Sequence, residues 1–270
     1  SRACLAEGDW DGAFKAAKRV IDEGGYAVGT KSDLTSGMNS LDKQNVMWGA
    51  GIQVADQAGG YAGFFTHMDN KEGAYAKSAP KLISKQLYNR ISATDIRRDW
   101  WDPSDKESPY VSKKFSFANV ASFLGDYIYM RVEEMYFTAA EAALRLDDLK
   151  SARELMNTVM AERDPGYSAN NRSGTLLGAT TTTWTGSFLE NILTHRRIEL
   201  WGEYGRLFDV RRLGQGIDRR TDDGFSEECI SMMNRRNVNI TKADTYDWVL
   251  TIPKAELDAN PNINEEDQNP

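Results

Sequence analysis

The chain has 270 residues, of which 40% are hydrophobic and 27% are charged, and its formal net charge is −7 at pH 7. This length and composition are typical of a globular protein with a large core. The acidic balance argues against a nucleic acid or an anionic membrane surface as the main partner, because both require a basic face. No stretch of about 18 consecutive apolar residues is present, so the sequence predicts no membrane-spanning helix.

Residue types that support catalysis or metal binding are scarce. Cys4 and Cys229 match no metal or redox motif, and we expect both to be free. His67 and His195 are too few for a His-rich zinc site or a Ser-His-Asp triad. The glycine-rich stretch 59–63 lacks the strand-to-helix switch that frames a nucleotide site. We therefore predict a non-enzymatic protein with no cofactor and no metal.

Residues 1–25 predict a helix, a tight turn and a second helix. The turn spans Gly8 to Ala13, and an amphipathic helix follows from Phe14 to Val20. The same pattern recurs 139 residues later, from Asp147 to Ala152, before a helix from Arg153 to Val159. Paired helices with small residues at the contact are typical of tetratricopeptide-like repeats. Because the two copies are far apart, we predict two repeat units separated by a long insertion.

The insertion, residues 26–122, is rich in glycine, which breaks any long helix. Short strands are predicted at Val46–Trp48 and Phe115–Phe117, and one short helix at Lys81–Ile91.

Aromatic residues are dense in the same insertion. An exposed ring can cover the flat C–H face of a sugar while neighbouring polar side chains bind its hydroxyl groups. Any single aromatic residue belongs to the core more often than to a ligand platform. Their grouping in glycine-rich loops makes a binding surface as plausible as a core. The candidate ligand-binding residues are Trp48, Tyr61, Phe64, Phe65 and Tyr75.

The second repeat unit begins with a helix predicted from Tyr127 to Leu146 and continues with one from Ser151 to Arg163. A polar stripe follows one side of the first helix, and we interpret it as a solvated or ion-paired face rather than a catalytic one. The stripe consists of Arg131, Glu134, Thr138, Glu141 and Arg145.

A further helix is predicted from Ser187 to Tyr204, because Ser187 and Glu190 form a capping-box pattern. Gly205 is expected to end that helix, and a short helix follows through Arg212.

Charged residues are concentrated in these two helices among apolar and aromatic neighbours. Two of them, Glu199 and Glu203, are four residues apart and could hold a metal or form an acid/base pair. The abundance of nearby arginines favours ion pairs that join the two helices, so we interpret the set as a structural clasp. Its members are Arg196, Arg197, Glu199, Glu203, Arg206, Asp209 and Arg212.

Three parts of the sequence carry motifs that resemble those of the SusD/RagB family, the cell-surface glycan- and nutrient-binding lipoproteins of Bacteroidetes. His195 is one departure, since the family usually has Glu just before the arginines. The matching motifs are Arg196-Arg197-x-Glu199-Leu200, Glu203-x-Gly205-Arg206-x-x-Asp209-x-Arg211-Arg212, Tyr127-x-Tyr129-x-Arg131-x-x-Glu134-x-Tyr136, Ala140-Glu141-Ala142, Ile252-Pro253-x-x-Glu256 and Gln268-Asn269-Pro270.

The resemblance, together with the repeats, implies a mainly α protein of tetratricopeptide-like helical repeats, with a long loop-rich insertion and few short strands. It also implies a structural turn at Asp95-x-Arg97. The chain would be a single SusD-like domain that lacks its N-terminal portion. Its parts would be a repeat unit (1–25), the insertion with the candidate ligand site (26–122), a repeat unit with the clasp helices (123–214) and an irregular C-terminal segment (215–270).

The resemblance implies an oligosaccharide ligand that is delivered to a SusC-like TonB-dependent transporter. The full-length protein would lie on the extracellular face of the outer membrane, held by a lipid anchor that this chain lacks. Two alternatives remain open at this point: a helical-repeat module for protein–protein interaction, and a peptide-binding member of the same family.

Overall fold

The computed structural model describes residues 1–56, 63–174, 186–215 and 251–268. Over these ranges the protein is mainly helical with four short strands, which confirms the predicted fold class. Within the described ranges, no helix is long and apolar enough to cross a membrane. The elements are α1 (Arg2–Glu7), α2 (Trp10–Glu23), α3 (Lys31–Leu34), β1 (Val46–Ala50), α4 (Phe64–Met68), α5 (Ala74–Ser78), α6 (Lys85–Tyr88), a 3₁₀ helix (Ile96–Trp100), β2 (Trp101–Asp102), β3 (Val111–Ser112), β4 (Tyr127–Arg131), α7 (Val132–Arg145), α8 (Leu149–Ala161), α9 (Phe188–Glu199), α10 (Arg206–Arg212), α11 (Lys254–Ala259) and a second 3₁₀ helix (Glu265–Asp267).

Helix α7 is the centre of the core. Helices α2, α8 and α9 all pack against it, and twelve of its fourteen residues are buried, so it has no solvent-facing side. Ala139, Ala140 and Ala143 of α7 meet Ala17 of α2 and Ala152 of α8 in one buried cluster. Small side chains at these positions allow the helix backbones to approach closely.

The two repeat units have matching turns. Gly8 and Asp147 both adopt the left-handed backbone conformation, with φ of 77° and 61°. The residue after each, Asp9 or Asp148, caps the next helix by accepting a hydrogen bond from the backbone N–H three residues on. The structure therefore contains both helix–turn–helix units that the sequence predicts.

Strands β1 and β4 form an antiparallel ribbon, in which Val46 pairs with Arg131 and Ala50 with Tyr127. The predicted strand at Val46–Trp48 is confirmed. The prediction of a helix from Tyr127 is wrong, because residues Tyr127–Arg131 pair with β1 and α7 begins only at Val132. The aromatic and branched residues of this segment fit a strand better than a helix.

Phe115–Phe117 is not a strand. The N–H of Ser116 donates to the carbonyl of Gly37, and the N–H of Phe117 donates to the carboxylate of Asp69, so neither belongs to a ladder.

Two predicted helices are shorter in the structure. The helix predicted at Lys81–Ile91 is only Lys85–Tyr88, because Ser84 caps it and the N–H of Ile83 donates to Tyr110 instead.

The helix that begins after Ser187 starts where predicted, with Ser187 Oγ accepting from the N–H of Glu190. It ends at Glu199, not Tyr204, and the turn that follows contains two glycines with positive φ, Gly202 at 75° and Gly205 at 100°. Glu199 and Glu203 therefore do not share a helical face.

The terminal motifs contact each other. The side chain of Gln268 accepts from the N–H of Ile252 at 2.8 Å and donates to its carbonyl at 3.0 Å. Of the two cysteines, Cys4 is free, and Cys229 lies outside the described residues.

The turn after α9 yields a stability prediction. A Cβ on Gly202 would lie 2.6 Å from the ring of Phe115, whereas the nearest atom at Gly205 is Arg196 Nη2 at 3.6 Å. A non-glycine residue at positive φ costs roughly 1–2 kcal/mol, and overpacking costs about 1–3 kcal/mol more. We expect Gly202→Ala to lower the free energy of unfolding by the sum of both and Gly205→Ala only by the first, as measured by urea denaturation. Equal losses would contradict the crowding at Phe115.

Candidate functional site

A polar cluster is built around the carboxylate of Glu199, at the end of α9. Arg131 donates to Oε1 at 3.0 Å and Arg97 to Oε2 at 3.1 Å, while Arg163 contacts both oxygens at 3.0 Å. All four side chains are fully buried. Three guanidinium groups around one carboxylate hold the pKa of Glu199 well below its usual range, against the opposing effect of burial. The three guanidinium groups therefore favour the ionised carboxylate.

Glu203 forms the second part of this cluster. It accepts two hydrogen bonds from Arg131, both at 2.8 Å, and one from Lys114 Nζ at 2.5 Å. Lys114 Nζ also donates to the backbone carbonyls of Glu199 and Trp201, at 2.7 and 2.8 Å. Burial lowers the pKa of Lys114 to about 8, with Glu203 opposing this shift and Arg131 adding to it. The turn between α9 and α10 is thus fastened to the insertion.

The Asp95-x-Arg97 segment is a structural turn, as the resemblance implies. Asp95 caps the 3₁₀ helix and pairs with Arg97, whose Nη2 lies 2.6 Å from Asp95 Oδ2. The same Nη2 lies 2.8 Å from Nδ1 of His195. A guanidinium only donates, so Nδ1 accepts and the imidazole proton is on Nε2. Burial and the charge of Arg97 lower the pKa of His195 well below its usual range. His195 is therefore a neutral acceptor for Arg97.

A second cluster joins α7, α9 and α10. Arg196 and Arg212 both donate to Asp209, at 3.1 and 2.8 Å. Arg212 also forms a two-point pair with Glu141, at 2.8 and 2.7 Å, and Arg196 lies 3.6 Å from Glu134. Within the polar stripe, Glu134 and Glu141 on α7 are therefore buried and ion-paired, and Arg145 at the end of α7 is partly exposed.

Five of the seven predicted clasp residues meet in these two clusters. The other two, Arg197 and Arg206, are half-buried, and Arg206 Nη1 donates to Gln215 at 3.5 Å. The sequence does not connect the clasp helices with five partners from distant segments, because the abundance of arginine in those helices does not identify them. Arg97 and Arg131 were assigned to a turn and to the polar stripe, and the other three partners, Lys114, Glu133 and Arg163, were assigned no role.

The clusters do not suit metal binding or acid/base chemistry. The described part of the chain contains no group of three or more His, Cys, Asp or Glu side chains that could hold a metal ion. The carboxylates of Glu199, Glu203 and Asp209 are each neutralised by at least two cations at hydrogen-bond distance. These ion pairs connect segments that are far apart in the sequence.

The candidate ligand residues fall into different environments. Trp48 on β1 is 59% exposed and meets the ring of Tyr129 on β4 edge to face, with centroids 5.0 Å apart. Tyr129 is 42% exposed, and the sequence analysis missed it because its segment was assigned to a helix. Tyr75, 37% exposed, stacks in parallel on His67 at 4.6 Å. Both pairs offer ring surface to solvent.

Phe65, a predicted ligand residue, is buried and cannot contact a ligand in this structure. It is only 2% exposed and packs among Phe117 and Tyr127 in a buried aromatic cluster. Helix α4 turns this ring inwards, and the nearby Gly125 leaves room for it, since a Cβ there would lie 2.4 Å from the ring. Phe64 is half-buried, with edge-to-face contact to Phe115 at 5.2 Å. Tyr61 lies outside the described residues.

Comparison with known proteins gives consistent matches. The model of the SusD family matches residues 105–270. A SusD-like carbohydrate-binding protein from Bacteroides vulgatus ATCC 8482 is 25% identical, with a TM-score of 0.76, over 97% of this chain and 57% of that one. A SusD superfamily protein from Bacteroides thetaiotaomicron VPI-5482 is 23% identical, with a TM-score of 0.72, over 100% of this chain and 59% of that one.

A more distant structure is the surface glycan-binding protein A from Bacteroides uniformis, which is 18% identical with a TM-score of 0.58, over 99% of this chain and 59% of that one. This chain therefore spans less than two thirds of the length of these three proteins. No curated protein matches the sequence.

The burial of Glu199 leads to a stability prediction. Glu199→Gln keeps the side chain's size but leaves three buried guanidinium groups with less negative charge. We expect the free energy of unfolding to fall by about 3–5 kcal/mol. Glu154→Gln is the matched control, because Glu154 is exposed and lies 3.9 Å from a single partner, Lys150, and should change stability by less than about 0.5 kcal/mol. Similar unfolding curves for both variants would show that the cluster is not essential to the fold.

The buried imidazole predicts a pH dependence. Because the pKa of His195 in the fold lies below its usual value of 6.5, the unfolded chain takes up a proton first as the pH falls. Stability is then complete well above pH 6.5, and as the pH falls below 6.5 the loss approaches about 1.4 kcal/mol per pH unit. We expect His195→Gln, which retains an acceptor for Arg97, to flatten this part of a urea-denaturation pH series. An unchanged slope in His195→Gln would contradict the assignment.

Proposed function

Because this chain belongs to the SusD family, we propose that it binds an oligosaccharide non-covalently at the cell surface. In the whole protein, the bound sugar would then pass to a SusC-like TonB-dependent transporter in the outer membrane. The similar structures described as carbohydrate-binding and glycan-binding proteins support the ligand class. The whole protein would lie on the extracellular face of the outer membrane, held by a lipid anchor.

The observation that carries the proposal is the exposed pair of Trp48 and Tyr129. A pyranose ring presents a flat patch of C–H bonds that packs on an aromatic face, and its hydroxyl groups remain free for polar contacts at the edge. In the described chain, Trp48 is among the most exposed large apolar residues, at 59%. An aromatic residue so exposed makes little contribution to the core, and together with Tyr129 it presents ring surface on which a sugar could stack.

The ribbon that carries the pair is tied to its surroundings by close packing and hydrogen bonds. Its register shifts on both sides of Trp48, and Gly49 is needed there because a Cβ would lie 2.4 Å from the carbonyl oxygen of Tyr127. Beyond the ribbon, the carboxylate of Asp126 accepts from the N–H groups of Leu41 and Ile52, both at 3.0 Å. A platform that is fixed before binding loses little conformational entropy when the sugar arrives.

A catalytic role is not part of the proposal. The two carboxylates that the sequence offers as an acid/base pair, Glu199 and Glu203, are ion-paired with arginine and lysine. Hydrolysis requires one carboxyl group that can donate a proton, and the pKa of both groups lies below its usual value in the fold because of these cations. The geometry supports binding without turnover.

The binding surface can be tested by affinity electrophoresis in gels that contain starch, xylan, mannan, polygalacturonate or chondroitin sulfate. Loss of one stacked ring removes about 1–3 kcal/mol. We therefore expect Trp48→Ala and Tyr129→Ala each to weaken binding to the retained polymer tenfold to a hundredfold, with an unchanged melting curve.

Phe123→Ala is the matched control, since this ring is 44% exposed but lies on a different loop, against Phe117. Tyr75→Ala shows whether the stack on His67 belongs to the same surface. If Trp48→Ala and Tyr129→Ala both keep full affinity, the binding site does not lie on the ribbon. If no polysaccharide gel retards the protein and the protein binds only other proteins, the proposed function is wrong and an interaction module is favoured.

A further inference from the structure

Tyr129 occupies an irregular position in the two-stranded ribbon of β1 and β4. The register places Trp48 opposite Met130, and the next pair along the ribbon is Gly49 opposite Ile128. Tyr129 lies between these pairs without a partner residue on β1, so it is the extra residue of a β-bulge. A bulged residue is left out of the ladder, and its side chain can be turned in a new direction. The exposed ring of Tyr129 therefore stands on backbone that the ladder does not fix.

Arg2 supplies the backbone contact that the ladder lacks. Its Nη2 donates to the carbonyl of Tyr129 at 2.8 Å, across 127 positions of sequence. A donor on a carbonyl at the edge of a sheet takes the place of a neighbouring strand. Arg2 belongs to α1, which packs against α2, α7 and α10. The bulged residue is thus tied to the helical repeats.

The guanidinium of Arg2 is itself held by further contacts. Glu134 on α7 accepts from Nε and Nη2, at 2.8 and 2.7 Å, in a two-point pair. The ring centroid of Tyr204 lies 3.5 Å from the guanidinium carbon. The side chain of Glu134 is buried, at 1% exposure. Because a planar two-point pair fixes both distance and orientation, the carbonyl of Tyr129 has a defined place relative to α7.

A fixed backbone at Tyr129 matters for a ligand that packs on its ring. Ordering one backbone residue at the moment of binding would weaken affinity about five- to thirtyfold. A backbone that Arg2 has ordered beforehand avoids this loss. Arg2 would contribute in this way without touching the ligand, because a carboxylate, a ring and a carbonyl already occupy its guanidinium.

We propose that Arg2 is a positioning residue for the platform formed by Trp48 and Tyr129: it holds the bulged Tyr129 in its binding orientation and does not contact the sugar. This inference rests on the proposed function and adds a residue that acts through Tyr129. A purely structural role, as an ion pair between α1 and α7, would change stability and would affect every ligand contact equally. The two roles differ in whether the effect of Arg2 on affinity requires the Tyr129 ring.

A double-mutant cycle on binding distinguishes the two roles. The wild-type protein is first run in gels that contain starch, xylan, mannan, polygalacturonate or chondroitin sulfate, and the polymer that retards it most becomes the probe. Arg2→Met keeps the aliphatic stem and removes the donors. We expect it to weaken binding about five- to thirtyfold when the Tyr129 ring is present, but less than about twofold in the Tyr129→Ala background, because coupled contacts are not additive.

Two further variants and a measurement without ligand complete the experiment. Arg19→Met is the matched control, since the side chain of Arg19 is 79% exposed and pairs with Glu23 at 3.2 Å, and it should bind as the wild type does. If Arg2→Met does not fold, Arg2→Lys keeps a cation beside Glu134 but lacks the planar fork, and should show the same dependence on Tyr129. Hydrogen exchange of the ligand-free protein should be faster across Tyr127–Arg131 in the Arg2 variants than in Arg19→Met.

The results separate the positioning role from the proposed function. If Trp48→Ala and Tyr129→Ala weaken binding, but the Arg2 variants weaken it equally with and without the Tyr129 ring or not at all, the positioning role is wrong and the proposed function stands. Unchanged exchange across the strand in the Arg2 variants would also show that Arg2 does not order Tyr129. If the wild-type protein binds none of the polymers, both proposals are overturned.

Discussion

The structure depends on burying eight charges in a balanced network. Four cations and four anions meet at the junction of the insertion with the helical repeats, and none is left without an opposite charge. Taking an ion out of water costs several kcal/mol, and only close partners offset this cost. Removing one member would therefore leave a buried charge without its partner, at a cost of several kcal/mol. Its members are Arg97, Lys114, Arg131 and Arg163 with Asp95, Glu133, Glu199 and Glu203.

Because its members come from separate segments, this network sets the position of the loop-rich insertion. Arg97 and Lys114 belong to the insertion, and both contact the end of α9. Arg163, just after α8, reaches the carbonyl of Gly29 at 2.7 Å as well as Glu199. Loops with little regular structure have few backbone hydrogen bonds of their own to orient them. Here buried ion pairs supply the fixed geometry that a sheet or a helix bundle would otherwise provide.

The sequence predicts the local features of this arrangement better than the distant ones. The repeat turns and the pairing of Arg212 with Asp209 involve neighbours along the chain, and periodicity or spacing reveals them. Arg97 and Glu199 are 102 positions apart, and no local pattern connects them.

The same limit explains the mistaken helix at Tyr127–Arg131, whose pairing partner is β1. It also explains the aromatic residues, because composition cannot distinguish the buried Phe65 from the exposed Trp48. Burial is decided by tertiary packing, and a glycine-rich segment lacks the periodicity that would reveal it.

The buried network and the proposed binding surface are connected through β4. Arg131 is the last residue of β4, and it holds Glu199 and Glu203 two residues after Tyr129. At the other edge, Arg2 ties the carbonyl of Tyr129 to Glu134 on α7. The exposed rings therefore stand on a strand whose end is held by buried charges. If the proposed function is right, a sugar would meet a surface that is already ordered, and the charged residues would contribute to affinity through this positioning, without touching the ligand.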